Sequence, residues 1–234
     1  MKISDRTVVE MNAKLAAALD AVRLVKDGQV VGLGSGSTAE LAIFELGRRM
    51  QGEGIEIIGI PTSRRSEEVA RDARIPMSSL DEHDVVDITI DGADEVDPEL
   101  NLIKGLGGAL LREKLVAKAT HQEIIVVDES KLVHQLGTKA PLPVEIIQFS
   151  HVHIGRKISS FGCVPKLREK AGSAYVTDNG NYVLDCKFAG IAEAESLESR
   201  LKAMPGVVET GLFLGMADTI IIGSPTGVRT MKKK

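Results

Sequence analysis

The fold of this chain is decided by the stretch QVVGLGSGSTAELAIF at residues 29–44. Residues 29–33 form a short apolar run typical of a buried strand, and apolar residues recur at helical spacing from about Ser37 to Met50. Glycine and hydroxyl residues lie between the two segments. They allow a tight turn that leads into a helix N-terminus with free N–H groups. The stretch therefore predicts a strand, a glycine-rich turn and a helix.

The same alternation of strands and helices continues along the first half of the chain. Further helices are predicted at about 8–26, from an N-cap at Ser63, and at about 108–119; further strands are predicted at 55–60, 85–90 and 123–128. Such an alternation predicts an α/β fold with a mostly parallel sheet and helices on both of its faces.

The pattern changes near Pro141, where a small α+β unit is expected to begin. Its predicted elements are a strand at 144–147, a helix at 151–160, a hairpin of 174–177 with 181–185, and a helix at 194–204. A buried strand at 219–223 is expected to rejoin the first sheet. The expected domains are therefore residues 1–133 completed by 215–234, with residues 134–214 forming a smaller inserted domain.

Composition excludes several classes of protein. Apolar residues make up 43% and charged residues 26%, so the chain is neither disordered nor fibrous. No apolar stretch approaches the ~18 residues of a membrane span, and the first six residues lack a signal-peptide core, so a cytoplasmic location is expected. A net charge of −4 and only 3% aromatic residues argue against nucleic acid as the main partner.

The turn at Gly34–Ala39 has the chemistry of a phosphate site. Its glycines allow close backbone approach, and the serine and threonine hydroxyls add donors at a helix N-terminus. A P-loop would need a lysine where Gly36 stands. A dinucleotide fold would want glycine at Ser37 and an acidic residue at the end of the next strand, which instead ends in Pro61-Thr62-Ser63. A phosphomonoester therefore remains as the ligand.

A second motif, Asp91-Gly92-Ala93-Asp94, follows the predicted strand at 85–90. In an open α/β sheet, ligands bind beyond the carboxyl ends of the strands. The short Gly-Ala turn is expected to let both aspartates reach one substrate, where paired carboxylates relay protons between hydroxyl groups. Glu95 and Asp97 are expected to be solvated.

A third motif runs from Lys104 to Lys114 and ends in a helix. Lys104 suits a developing oxyanion. Glu113 lies about 40° around the helix from Ala109 and Ala117, so it shares an apolar face, while Lys114 and Lys118 are expected on the opposite side. Loss of water around Glu113 would raise its pKa and make it a better base.

Two more lysines are candidates for the same site. Lys131 follows the predicted strand at 123–128, and Lys14 lies in the first helix. Either side chain would hold an anionic substrate if it faces the crevice.

The three blocks GLGSGSTA, DGADEVDP and KGLGGALLREK, in this order, resemble ribose-5-phosphate isomerase of the A type. The segments VVDESKLV, LPVEI and VTDNGNYVLD are similar to later parts of that family. The resemblance implies a Rossmann-like domain that carries the site and a smaller α+β (ferredoxin-like) domain used in subunit assembly, in a homodimer or homotetramer. It also implies an aldose–ketose isomerase that needs no metal and no nucleotide cofactor.

The resemblance also implies roles for individual residues. Glu113 would be the base, Lys104 the electrophile, and Asp91 and Asp94 the carboxylates around the sugar oxygens. The remaining implied substrate contacts are Ser35, Gly36, Ser37, Thr38, Gly92, Ala93, Gly105, Leu106, Gly107, Lys131 and Lys14. Leu106 stands where the family often has glycine or arginine.

Two rival functions remain open at the level of sequence. A non-catalytic sugar-phosphate sensor would keep the glycine-rich loop without needing Glu113, although no additional basic segment for DNA is present. A nucleotide-dependent dehydrogenase would use the same type of sheet, but Ser37 and Thr62 depart from its pattern.

Overall fold

The main sheet is built by the elements that the alternation predicts. A computed structural model describes residues 5–233, with side chains from residue 8 onward; the expectation of a cytoplasmic location rests partly on residues 1–4, which lie outside this range. The helices in this part of the chain are α1 (Asp5–Val22), α2 (Ser37–Glu53), α3 (Arg64–Asp72), α4 (Leu110–Ala119), α5 (His151–Ser159) and α6 (Ala194–Lys202).

The strands alternate with these helices in the first half of the chain and cluster in the second half. They are β1 (Val30–Leu33), β2 (Ile58–Pro61), β3 (Val86–Asp91), β4 (Glu95–Val96), β5 (Leu102–Ile103), β6 (Thr120–Asp128), β7 (Leu142–Ile146), β8 (Val164–Leu167), β9 (Glu169–Lys170), β10 (Ser173–Ala174), β11 (Tyr182–Lys187), β12 (Val207–Thr210), β13 (Leu212–Phe213), β14 (Thr219–Ser224) and β15 (Gly227–Lys232).

The first compact unit comprises residues up to Ala93, Arg112–Leu132 and the chain from Met216 onward. Its sheet has the order β15-β14-β6-β3-β1-β2, and every pairing is parallel except that of β15. The prediction that the strand near 219–223 rejoins this sheet is confirmed, because β14 pairs with β6.

Helices cover both faces of this sheet. On one face, Val31 and Leu33 of β1 pack with apolar residues of α1 and α2, such as Ala17 and Ile43. On the other face, Val116 of α4 packs with strand residues in a smaller cluster. This arrangement confirms the expected α/β class with helices on both faces. None of the helices within residues 5–233 is long and apolar enough to cross a membrane.

The second compact unit comprises Asp94–Leu111 and Val133–Gly215. Its antiparallel sheet has the order β12-β7-β11-β8, with α5 and α6 in the two crossover connections, so the unit has the βαββαβ pattern of a ferredoxin-like fold. The core of the sheet includes Val144, Ile146 and Leu184. Two very short strands, β9 and β10, form a separate pair.

The segment Asp94–Leu111 differs from the expected domain division, which placed it in the first domain. Its strand β5 pairs with both β4 and β13, and Lys104 N donates a hydrogen bond to Gly211 O (2.9 Å). The pairing with β13 and the bond to Gly211 are long-range contacts that group the segment with the second unit, and no local sequence signal predicts them.

The predicted hairpin of 174–177 with 181–185 is wrong in its pairing. The turn itself forms, because Thr177 N donates to Asn181 O and Gly180 N donates to Thr177 O. Beyond the turn, however, β11 pairs with β7 and β8 instead of with the segment before the turn. Competing partners of longer sequence separation therefore override the local hairpin signal.

Candidate active site

The turn between β1 and α2 is held against the end of β3. Asp91 is almost fully buried, and its Oδ1 accepts hydrogen bonds from Ser35 N (2.9 Å) and Gly92 N (2.7 Å). Gly34 is required by this approach, because a Cβ atom there would lie 2.5 Å from the Asp91 Cα atom. Gly36, the N-cap of α2, has a φ of 96°, a conformation that favours glycine.

The Ser35 hydroxyl takes part in a network beneath this turn. Its Oγ lies 2.8 Å from Thr62 Oγ1 and donates to Ser63 Oγ (2.7 Å). Thr62 Oγ1 donates in turn to Leu33 O (3.0 Å), while Ser63 forms a reciprocal capping box with Ser66 at the start of α3. The predicted N-cap at Ser63 is thus confirmed. The Ser35 hydroxyl, expected as a ligand donor, here fixes the shape of the turn.

The N-terminus of α2 offers donors for an anion. Ser37 is exposed, and Thr38 lies beside it in the first turn of a 17-residue helix. Lys14 of α1 donates from Nζ to Ser37 Oγ (3.2 Å). The structure therefore brings Lys14 to this turn, where its positive charge adds to the helix dipole.

Lys131 lies at the same edge of the sheet as the turn and Asp91. It belongs to a 3-10 turn, Glu129–Lys131, that directly follows β6, the neighbour of β3. Asp128 caps this turn by accepting a hydrogen bond from Ser130 N (2.9 Å). The carboxyl ends of β1, β3 and β6 thus carry three of the predicted groups, as expected for an open α/β sheet.

Glu113 is buried on α4 with 5% of its surface exposed. Its neighbours along the helix, Val116 and Ala117, are also buried, which confirms the predicted apolar face. Lys118 is exposed, as expected. Lys114 is buried, so the expectation that it lies on the exposed side of the helix is wrong. A carboxylate in such a position is largely shielded from bulk water.

In the second unit, Asp94 and Leu106 are joined at the base of a loop. Asp94 N donates to Ile103 O (2.8 Å), and Asp94 Oδ2 accepts from Leu106 N (2.9 Å). One of the two predicted carboxylates therefore ties down the loop that follows Lys104.

Lys104 is almost completely buried, with 2% of its surface exposed. Its Nζ atom lies 5.4 Å from the centre of the Phe213 ring, within the range of a cation–π contact. Lysine is very rarely buried to this extent unless it has a specific role or partner. The sequence motif had singled out Lys104 but not its aromatic neighbour on β13.

Sequence reasoning missed two residues that hold the loop at Gly105–Gly107. Arg168 donates from Nη1 to the carbonyl oxygens of Gly105 and Leu106, each at 2.9 Å. Tyr175 donates from its hydroxyl to Gly107 O (3.3 Å), and burial raises the pKa of this phenol, so it remains a donor. In the sequence, Arg168 lies in the charged run Lys166–Lys170, where nothing sets it apart from surface charges.

The expectation that Glu95 is solvated is wrong. Glu95 is completely buried, and its carboxylate accepts hydrogen bonds from the backbone N–H groups of Gly137, Lys139 and Ala140, each at 2.6 Å. Its carboxylate therefore has a structural role, because it holds the backbone of residues 137–140 in place. Asp97 is partly buried, and this burial raises the pKa of its carboxyl group.

These features indicate the class of ligand that the protein binds. The first unit carries an anion-binding helix N-terminus with a lysine beside it and a buried carboxylate nearby. The second unit carries a buried ammonium group and a carboxylate-anchored loop. The groups of the first unit suit a ligand that carries a phosphate.

Comparisons with known proteins agree with this class. The family model for ribose 5-phosphate isomerase A (phosphoriboisomerase A) matches residues 58–227. The ribose-5-phosphate isomerase A of Synechococcus sp. (strain JA-3-3Ab) is 48% identical over 222 residues, which cover 94% of this chain and 96% of that protein.

Solved structures show the same similarity. Ribose 5-phosphate isomerase A from Methanocaldococcus jannaschii is 44% identical with a TM-score of 0.90, covering 94% of this chain and 98% of that one. A D-ribose-5-phosphate isomerase in complex with phospho-erythronic acid is 40% identical with a TM-score of 0.92, covering 94% of this chain and 97% of that one. The chain therefore belongs to the ribose 5-phosphate isomerase A family. This assignment favours an isomerase over a sugar-phosphate sensor or a dehydrogenase.

Proposed function

We propose that this member of the family interconverts D-ribose 5-phosphate and D-ribulose 5-phosphate by proton transfer through an enediol(ate), with Glu113 as the base. The observation that carries the role of Glu113 is the burial of its carboxylate on the apolar face of α4. A poorly hydrated carboxylate accepts a proton from carbon more readily than a solvated one.

Binding begins at the phosphate. The proposal assigns the phosphate to the N–H groups and hydroxyls of Gly36, Ser37 and Thr38, with Lys14 and Lys131 adding positive charge. Energy from this remote contact orients the reacting carbons without taking part in the chemistry. When the ribose ring opens, Asp91 or Asp94 takes the proton of the 1-hydroxyl and delivers it to the ring oxygen as the bond between that oxygen and C1 breaks.

The isomerisation then moves one proton between neighbouring carbons. Glu113 removes the proton from C2, the electrons of that bond form a C1=C2 double bond, and the C1 oxygen takes the negative charge. Lys104 and N–H groups of the Gly105–Gly107 loop stabilise this charge. One of the aspartates relays the proton of the 2-hydroxyl to the C1 oxygen, and Glu113 returns its proton to C1, which leaves a ketone at C2.

The ligand named for the solved relative is consistent with this route. Phospho-erythronic acid carries a phosphate and a planar carboxylate. A phosphorylated enediolate likewise combines a phosphate with a planar anionic group, and transition-state-like ligands bind tightly to enzymes.

We also propose a homodimer or homotetramer in the cytoplasm, as part of the pentose phosphate pathway. Large apolar side chains on the second unit, Phe149, Val152 and Val164, are exposed and would be covered by another subunit. Cys163 and Cys186 are both unpaired and buried, which fits a reducing compartment.

The experiment that tests the activity uses the full chain with ribose 5-phosphate and an excess of chelator. We expect ketose from the wild type, a loss of about 10²–10⁴-fold in kcat for Glu113→Gln, and little change in KM. Glu195→Gln, on an exposed part of α6, is the matched control. No ketose from the wild type would overturn the isomerase assignment, whereas near-wild-type turnover by Glu113→Gln would remove only the role of Glu113 as base.

A further inference from the structure

One side chain of the second unit holds two consecutive carbonyl groups of the loop after Lys104. The Nη1 atom of Arg168 donates to Gly105 O and to Leu106 O, each at 2.9 Å. Arg168 is 62 residues away from this loop in the sequence, so the contact is a feature of the fold and not of a local turn.

Arg168 is itself held rigidly. Its Nε donates to Asp185 Oδ2 (2.9 Å), its Nη2 donates to Asp185 Oδ1, and only 11% of its side chain is exposed. The guanidinium also lies 5.8 Å from the centre of the Tyr175 ring. The backbone is fixed as well, because Arg168 N donates to Val183 O (2.9 Å) and Arg168 O accepts from Tyr175 N (2.9 Å).

These contacts determine how the peptides of the loop are oriented. In a trans peptide the C=O and N–H groups point in opposite directions. The carbonyl of Leu106 points to Arg168, so the N–H group of Gly107 in the same peptide points away from the guanidinium, on an exposed residue. The peptide between Gly105 and Leu106 is fixed on both sides, because Gly105 O accepts a hydrogen bond from Arg168 and Leu106 N donates one to Asp94.

We propose that Arg168 is a positioning residue for the isomerisation, which sets the orientation of the loop that follows Lys104. This inference rests on the proposed function, in which Lys104 and the loop N–H groups stabilise the enediolate oxygen. Arginine suits the task because its planar fork binds Asp185 with two nitrogens and still directs Nη1 at two carbonyls. A lysine has one nitrogen and cannot make all of these contacts at once.

The test compares Arg168→Met and Arg168→Lys with the wild type in steady-state assays on ribose 5-phosphate. We expect kcat to fall roughly 10- to 100-fold for Arg168→Met, because a displacement of about 1 Å at a reacting group has effects of this size. We expect a smaller fall for Arg168→Lys and a KM within about threefold of wild type for both, since the phosphate contacts are elsewhere. Lys170→Met, an exposed residue of the same segment, is the control and should match the wild type.

A loss of folded protein would also lower kcat, so a second background separates the two causes. If an Arg168 substitution acts only by unfolding part of the protein, it should reduce kcat by the same factor in a Lys104→Met protein as in the wild type. Positioning of a loop that acts together with Lys104 predicts instead that Arg168→Lys lowers kcat by a clearly smaller factor in the Lys104→Met protein than in the wild type, because groups that act as a unit are not additive.

Failure of the positioning role of Arg168 can be distinguished from failure of the proposed isomerase activity. If the wild type forms no ketose, the activity itself is wrong. If the wild type is active and both Arg168 variants keep kcat within about twofold, the positioning role is overturned. Equal losses in the wild-type and Lys104→Met backgrounds would overturn it as well. If Arg168→Met does not fold, Arg168→Lys, which keeps the charge beside Asp185, decides the question alone.

Discussion

The loop at residues 34–38 and the loop at residues 104–108 are both rich in glycine, but they are held in different ways. The first loop lies directly between β1 and α2 and is fixed through Ser35, whose N–H group donates to the Asp91 carboxylate and whose hydroxyl contacts Thr62 and Ser63. The second loop is fixed by the side chains of Arg168 and Tyr175, which come from a distant part of the chain.

In the proposed reaction the first loop binds the phosphate and the second loop stabilises the charge of the enediolate. A phosphate does not change during the reaction, so a preformed helix N-terminus is sufficient to bind it. The charge on the enediolate oxygen appears only during the reaction, so the groups that meet it must already be oriented. Changes in the first loop should therefore act mainly on KM, unless they distort Asp91, and changes in the second loop mainly on kcat.

Lys104→Met is expected to have the largest effect in this comparison. It removes the ammonium group while keeping a similar apolar shape in a buried position beside Phe213. Because one donor to a developing oxyanion contributes roughly 10²–10³-fold, kcat should fall by that factor with KM nearly unchanged. Lys118→Met, on the exposed side of α4, serves as the control. A rise in KM with normal kcat would instead make Lys104 a binding residue.

Gly34→Ala tests the close approach of the first loop to Asp91. The new Cβ atom would lie 2.5 Å from the Asp91 Cα atom, so the turn or the end of β3 must move. We expect about a 10²-fold loss in kcat/KM and a decrease of about 1–3 kcal/mol in the free energy of unfolding. Denaturant titration and steady-state kinetics measure the two effects. Wild-type values in both would mean that the loop does not need this approach.

Ser37→Ala removes one hydroxyl from the start of α2 and leaves the backbone N–H groups in place. A hydrogen bond to a charged group contributes about 1.5–3 kcal/mol, so KM should rise at least tenfold while kcat changes little. Ser160→Ala at the end of α5 is the matched control. A selective loss of kcat in Ser37→Ala would break the assignment of this loop to phosphate binding.

Lys14→Met is expected to have the smallest effect of the series. The lysine is only partly buried beside Ser37, so its attraction for an anion is weakened by solvent and salt. We expect a rise in KM of about two- to fivefold at low ionic strength that largely disappears in high salt. The same ratio of KM values at low and high salt would show that Lys14 does not act through its charge.

The parts of the structure that follow from local patterns were predicted well. The helix after the glycine-rich turn and the N-cap at Ser63 follow from periodicity and capping signals, and the apolar run at 219–223 was correctly expected to rejoin the sheet, although the final strand β15 was not predicted. Glu113 was predicted on an apolar face because helical spacing alone places it near Ala117.

The parts that depend on distant partners were not predictable in this way. Glu95 looks like one acid among several, yet three backbone N–H groups more than 40 residues away make it a buried anchor. Arg168 looks like a surface charge until Asp185 and the loop carbonyls are placed around it. Local sequence carries no information about such distant partners, so burial that depends on them is seen only in the folded chain.

The most direct test of the central claim, that Glu113 breaks the C2–H bond, is to follow the loss of deuterium from C2 of labelled ribose 5-phosphate, counting both label that passes to C1 and label that exchanges into water. The wild type should lose the C2 label with a primary isotope effect on the rate, and Glu113→Gln should lose it at least roughly 100-fold more slowly while still binding the sugar. Loss of the C2 label by Glu113→Gln within a few-fold of the wild-type rate would contradict the account.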